Sequence, residues 1–269
     1  MSVHHEAGGG RDLQEILEEV ASGSLPVADA LALLPLLQVA QLEHFARLDL
    51  GRAARKGVPE VVYAPGKSDT ALAAIVRSFL AAGGLALVSR LTSAREETLR
   101  SALSDVPAEI SYDPSSGILE ATTPDYTPPR RRGTIGVLTA GTSDIGVAEE
   151  VALVAGHMGC RVLRAFDVGV AGIHRLLEPL TEMVRAHAAA FVVVAGMEGA
   201  LPSLVAGLVD VPVIGVPKSG GYGVGGDGTA ALYSMLQSCS PGLVVVNVDN
   251  GIGAGAAAAL IARRGAMET

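Results

Sequence analysis

Apolar and polar positions follow two rhythms along this chain, and the rhythm changes near its middle. In the first part the apolar residues recur at helical spacing. Leu13, Ile16, Leu17 and Val20 do so within 12–22, a second short helix is predicted over 26–35, and a longer one over 68–82. The last lies between VVYAPG at 61–66, a short strand and turn, and a strand at 85–89, while 43–60 is charged and basic. Short mixed elements of this kind predict a small α+β domain over 1–120. Residues 121–132 carry three prolines and a basic run, which reads as an extended linker.

From 133 to 269 the pattern is regular. Apolar runs at 134–140, 160–166, 190–196, 211–216 and 242–248 alternate with helix-length segments at 144–158, 172–187, 200–207, 228–238 and 253–264. A strand covered on both faces reads as one continuous apolar run, and strand-helix alternation gives right-handed crossovers to a parallel sheet. The prediction is a doubly wound α/β domain of three layers, flavodoxin-like. Ligands of such sheets lie beyond the carboxyl ends of the strands, where the strand order switches. The loops after the strands are therefore where chemistry is expected.

Composition narrows the classes of function. Hydrophobic residues are 49% and charged ones 18%, enough apolar surface for a core without a metal or disulfide staple. The 33 glycines gather at the ends of the apolar runs in the second half, which suits loops that approach a ligand closely. A net charge of −8 argues against a nucleic-acid partner, whose backbone demands a basic face. With 3% aromatic residues and no Trp, a stacking platform for single strands is also not expected. The opening residues MSVHHEAGGG lack the apolar stretch of an export signal, and no uninterrupted apolar run approaches about 18 residues, so no membrane association is expected and the location should be cytoplasmic. In that compartment Cys160 and Cys239 should remain thiols.

The loops carry the candidate chemistry. After the first run, Gly141 permits a tight turn and Thr142, Ser143 and Asp144 open a helix, whose free N–H groups suit a phosphate or simply accept a cap. After the second come Asp167, Gly169, Gly172, His174 and Arg175: Arg175 could pair with a phosphate, and Asp167 could hold a ribose hydroxyl or cap the helix. The third loop sets Met197 and Glu198 between Gly196 and Gly199, where a poorly hydrated carboxylate could move a proton or a helix-start glutamate could merely meet the dipole. Lys218, Gly221 and Tyr222 lie in the most glycine-dense segment, either a lid or a flexible surface loop. Cys239 stands among Ser238, Ser240 and Pro241 just before the last run, and Asp249 just after it. A lone thiol is either a small buried hydrophobe, as expected for Cys160, or an activated nucleophile.

With those loops in place, the second half resembles the PurE superfamily of aminoimidazole ribonucleotide carboxylases and mutases. GTSD at 141–144, GIHR at 172–175 and PVIGVP at 212–217 carry that resemblance. Nearly the whole chain is similar to the LarB family of nickel-pincer nucleotide cofactor synthesis, through VAGMEGALPSLVAGL at 194–208, PKSGGYGVGGDG at 217–228, SCSPG at 238–242, VNVDNGIGAG at 246–255 and RLDLGRAARKGVPEVVYAPGK at 47–67. The resemblance implies carboxylation of the pyridinium ring of nicotinic acid adenine dinucleotide at C5, with CO2 or bicarbonate as co-substrate. Hydrolysis of the phosphoanhydride would then give AMP and pyridinium-3,5-biscarboxylic acid mononucleotide. It further implies a Cys239 adduct at ring C4, Glu198 as proton acceptor, His174 orienting the incoming carboxylate, Mg2+ on the pyrophosphate with no metal ligands fixed, and a homo-octamer. The patch Arg52, Arg55 and Lys56 would cover substrate or build the assembly.

Two other classes fit parts of the pattern. A purine-type carboxylase or mutase would use the same phosphate loop without a thiol. A non-catalytic nucleotide-binding module would need that loop alone.

Overall fold

The structure, a computed structural model, describes residues 13–33, 39–42 and 46–265. Residue 12 and residues 34–35 of the expected helices, and 43–45 of the basic segment, lie outside the described residues. The chain divides into two compact units, Met1–Lys56 and Gly57–Thr269.

The first unit holds α1 (Leu13–Ala21), α2 (Val27–Leu33), β1 (Val39–Leu42), β2 (Ala46–Asp49) and α3 (Arg52–Lys56). The two strands pair antiparallel, Val39 opposite Asp49. Among the described residues of these helices, Ile16 and Ala30 are buried. Asp49 partly neutralises the basic patch: Arg55 donates Nη1 to it at 3.0 Å, and Arg52 stands 3.9 Å away.

The second unit contains two sheets. The smaller is built from β3 (Val61–Tyr63), α4 (Asp69–Gly83), β4 (Leu85–Ser89), α5 (Ser93–Ala102), β5 (Glu109–Asp113) and β6 (Ile118–Thr122), in the order β3-β4-β6-β5. Ser68 starts α4 by accepting the Ala71 amide at 3.2 Å, and Gly84 ends it in the left-handed conformation at φ 68°. The hairpin β5–β6 has no counterpart among the expected elements. Its first strand alternates exposed and half-buried positions, so no apolar run marks it.

The larger sheet follows the expectation closely. It comprises β7 (Thr134–Thr139), α6 (Ile145–His157), β8 (Arg161–Ala165), α7 (His174–Arg185), β9 (Phe191–Ala195), α8 (Ala200–Ala206), β10 (Val213–Pro217), α9 (Thr229–Leu236), β11 (Leu243–Val245) and α10 (Gly251–Gly265). All neighbours are parallel, in the order β11-β10-β9-β7-β8. The order therefore reverses between β7 and β9, the flavodoxin-like switch point. Every residue of β9 and β10 is buried, as their continuous apolar runs require. One face carries α6 and α10 over Val137, Val192 and Ile214, and the other carries α7, α8 and α9 over Leu138, Phe191 and Val193.

Close packing depends on particular glycines. A Cβ on Gly136 would sit 2.6 Å from the Phe191 ring, whereas one on Gly156 would meet nothing within 4 Å. Gly136→Val is expected to destabilise the protein by about 1–3 kcal/mol through overpacking, while Gly156→Ala should add roughly 0.5–1 kcal/mol. Urea midpoints shifted in opposite directions would show this, and equal shifts would refute it.

Candidate functional site

The loop after β7 is made rigid by its own aspartate. Thr142–Asp144 form a single tight helical turn leading into α6. Asp144 is buried, and its two carboxylate oxygens accept from the Gly141 amide at 2.9 Å and the Ser143 hydroxyl at 3.1 Å. Burial raises its pKa from the ordinary aspartate value, against those hydrogen bonds and the Lys218 charge, which favour the anion. The Ile145 amide that opens α6 bonds Thr142 O, so the turn and the helix form one continuous unit at this loop.

The next loop locks onto it. The Asp167 amide donates to Thr139 Oγ1 at 3.1 Å, and a Cβ on Gly169 would fall 2.6 Å from the Ala140 carbonyl, so only glycine fits there. Asp167 pairs with Arg175 at 2.6 Å, just after exposed His174 at the start of α7. Gly172 lies beneath that guanidinium, 2.8 Å from its Nε if a Cβ were added.

The remaining loops form a second linked pair. Gly196 through Gly199 make a turn closed by Gly199 N to Gly196 O at 2.9 Å, with Met197 and Glu198 exposed. Lys218 donates its amide to Ala195 O at 3.0 Å, and the Met197 sulfur approaches within 3.3 Å of where a Gly221 Cβ would lie. Tyr222 is 83% exposed. Asp249 gathers this loop: it accepts Ser219 N at 2.9 Å and the Ser219 hydroxyl, and pairs with Lys218 at 3.5 Å. Burial opposes its charge, but Ser219, Lys218 and Arg90 together hold the carboxyl below the usual range.

Backbone strain marks the same edge. Among the described residues, the non-glycines with left-handed φ are Arg90, Asp167, Met197, Asp249 and His187. The first four each stand shortly after a strand of the second unit, β4, β8, β9 and β11 respectively. Such conformations cost of order 1 kcal/mol or more each and concentrate where backbone must be aimed.

A cleft of about 510 Å³ opens beside the phosphate loop, lined by Thr142, Ser143, Lys218 and Asp249 among the expected residues. Asp167, His174, Arg175, Glu198 and Tyr222 stand on the adjoining loops, outside its lining. Arg90, Ser115, Ser116, Ile145, Gly146, Val147 and Glu150 complete the wall, and sequence reasoning named none of them. Glu150 is 4% exposed. Burial raises its pKa from 4.5 to about 7, against a 3.5 Å pairing with Arg90 and with the Asp249 charge adding to the rise. A signal for it existed. Position 150 lies three after Val147 and four before Val154 on the buried face of α6, where a carboxylate breaks the apolar stripe. For Arg90 no local signal exists, because only tertiary contacts bring it here.

Cys239 is exposed, whereas Cys160 is buried, with its thiol pushed up to about 11 by burial. The two thiols thus differ in access to solvent. Yet Cys239 lies between α9 and β11, and Val213 N bonds Gly242 O at 3.0 Å, so it occupies the amino-terminal edge of the sheet. Within one chain it is separated from the phosphate loop by the length of a strand, about 16 Å for five residues. The structure brings the other candidates to one edge and leaves Cys239 at the opposite one.

No three His, Cys, Asp or Glu side chains gather as metal ligands among the described residues. The carboxylates of Asp144 and Asp249 are both engaged by loop donors, so they do not form a cage for resident Mg2+. No helix of the described residues is long and apolar enough to cross a membrane.

Comparison with known proteins gives two family matches. The LarB/PurE-like N-terminal domain matches residues 39–123, and AIR carboxylase matches 134–268. An uncharacterized protein of Methanocaldococcus jannaschii is 38% identical over 257 residues, covering 94% of this chain and 98% of that protein. The N5-carboxyaminoimidazole ribonucleotide mutase of the same organism is 35% identical over 127 residues, 47% of this chain and 74% of that protein.

Proposed function

The chain belongs to the LarB family, with an AIR carboxylase domain as its second half, and on that footing we propose that it carboxylates nicotinic acid adenine dinucleotide at ring C5 and hydrolyses its phosphoanhydride. The observation that carries the reading is the cleft beside the loop after β7, where an aspartate-stiffened turn faces Lys218 and Arg90. A pyridinium ring is electron-poor and does not attack CO2 unaided. Addition of the Cys239 thiolate to C4 forms a C–S bond and converts the ring to a neutral dihydropyridine, whose C5 is an enamine carbon. C5 then bonds to CO2, its proton passes to Glu198, and the C–S electrons return to sulfur as the aromatic ring re-forms. The net change is loss of H+ and gain of a carboxylate. Water adds to one phosphorus and the P–O–P bridge breaks, giving AMP and the dicarboxylated mononucleotide. His174 orients the entering carboxylate. Mg2+ would arrive on the substrate's pyrophosphate, since the loop carboxylates are committed.

Because Cys239 stands at the far edge of its own sheet, this chemistry assigns it to the site of an adjoining copy in a homo-octamer. The decisive assay incubates the protein with the dinucleotide, Mg2+ and 13C-bicarbonate, and follows products by mass spectrometry. AMP together with a mononucleotide one labelled carboxyl heavier supports the proposal, and absence of both sinks it. The mutase match favours one rival, carboxylation or carboxyl shift on an aminoimidazole ribonucleotide. Turnover of that substrate instead would establish the rival.

A further inference from the structure

We infer that Arg90 is a second anion contact of the cleft and makes it selective for a diphosphate: the phosphate loop takes one phosphoryl group and Arg90, with Lys218, takes the other. The inference rests on reading the ligand as a dinucleotide. Arg90 comes from the smaller sheet, just beyond β4, and reaches the loops of the larger one. It donates Nη2 to the Asp249 carbonyl at 2.7 Å and directs Nε at Glu150 across 3.5 Å. A guanidinium has five N–H donors in a planar fork, more than these contacts use. Its side chain keeps 38% exposure in the cleft wall, so the remaining donors are open to an anion.

The backbone holds this arginine in place beforehand. Its φ of 55° is left-handed, the Leu91 amide next to it bonds Gly117 O at 2.8 Å, and its guanidinium lies 6.0 Å from the Tyr63 ring centroid. Gly117 must be glycine, because a Cβ there would lie 2.9 Å from Leu91 O. The turn that contains it is bound by Asp113, which takes Ser115 N at 2.9 Å and Ser116 Oγ at 2.6 Å. So the hairpin β5–β6, whose turn residues Ser115 and Ser116 also line the cleft, fixes the strained residue that presents the cation.

Glu150 is the counter-charge. The charged groups facing it are Arg90 and Asp249, with the Gly251 amide as a hydrogen-bond donor. A phosphoryl group arriving on Arg90 adds negative charge beside Glu150 and draws a proton onto it. Binding of a diphosphate should therefore take up protons near neutral pH.

The test compares nicotinic acid adenine dinucleotide with nicotinic acid mononucleotide, which shares the ring and has one phosphate, by titration calorimetry. Arg90→Gln should weaken dinucleotide binding about 10- to 100-fold and mononucleotide binding less than about 2-fold, the size of a charge-assisted hydrogen bond. Arg90→Lys, which keeps charge without the fork, should fall between, and serves if the glutamine variant does not fold. In buffers of different ionisation enthalpy the wild type should show proton uptake that Glu150→Gln lacks. Equal losses for both ligands, or none, would overturn the inference. Inorganic pyrophosphate against phosphate separates the two claims. Arg90-dependent preference for pyrophosphate in a protein that ignores the dinucleotide removes the substrate and keeps the contact. Normal dinucleotide binding and turnover by both Arg90 variants removes the contact and keeps the substrate.

Discussion

Cys239→Ser is expected to lower carboxylation by about a thousandfold or more while leaving dinucleotide affinity within about 2-fold, because it deletes the nucleophile and not the phosphate contacts. An alkoxide is far harder to form than a thiolate at neutral pH, so serine does not substitute for the thiol. Cys160→Ala, which removes a buried thiol bonded to Arg132 O at 3.5 Å, should retain activity. Product formation from labelled bicarbonate and calorimetric binding read the two effects separately. A fully active Cys239→Ser protein would eliminate the covalent step.

The position of Cys239 makes a sharper demand. It precedes β11 at the amino-terminal edge, while Glu198 follows β9 at the carboxyl edge. If each site combines loops from one copy with the thiol of another, Cys239→Ser and Glu198→Gln chains are each inactive alone yet complement in mixed assemblies. Glu198→Gln alone should cost about 10²- to 10⁴-fold as the loss of a general base. Random mixing places an intact loop set beside an intact thiol in about one quarter of sites, the product of two halves, in a symmetric homo-oligomer. Co-expressed chains should therefore recover about a quarter of wild-type activity. Inactive mixed assemblies would exclude action across copies and, given the separation within one chain, remove the thiol from the mechanism.

What the sequence made legible follows from where the determining physics is local. Strands β7, β9 and β10 announce themselves as runs such as FVVVA because both faces are covered, and glycines such as Gly169 and Gly199 mark loops because a Cβ there would meet Ala140 or Ala231 backbone. Strand β11 closes after Val245, short of the expected 248, because the chain turns towards Asp249, whose amide bonds Pro217 O at 2.9 Å. The hairpin β5–β6 escaped because both strands are short and the first, β5, is half-exposed. Arg90 escaped for another reason: its role is created by folding a different sheet onto the loop edge, across 159 residues of chain to Asp249. The loop candidates lie on one edge because they follow parallel strands, whereas the edge occupied by Cys239 follows from the parallel direction of β11. Its position before a strand rather than after one already contained that information.

Glu150→Gln is expected to stabilise the protein at neutral and alkaline pH, although it removes an ion-pair partner. Glu150 titrates near 7 in the fold and, once exposed by unfolding, near 4.5. The folded state therefore holds the proton more tightly, and between those values stability must fall as pH rises, flattening above about 7. A difference of that size corresponds to about 3 kcal/mol, a large share of the roughly 5–15 kcal/mol that holds a domain together. Glutamine imitates the protonated carboxyl and does not titrate. The variant should match the wild type near pH 4.5, where both are neutral, and exceed it at pH 8, where only the wild type carries a buried charge paired with a partly exposed arginine. Urea midpoints at pH 4.5, 6 and 8 give the comparison, and a wild-type pH slope that survives in the variant would assign the titration elsewhere. Retaining a carboxylate that weakens the fold makes physical sense if the charge beside Arg90 is needed in the site, because a strained and destabilised site is a recurrent accompaniment of activity. On that basis the same substitution that raises stability should abolish the proton uptake that accompanies diphosphate binding.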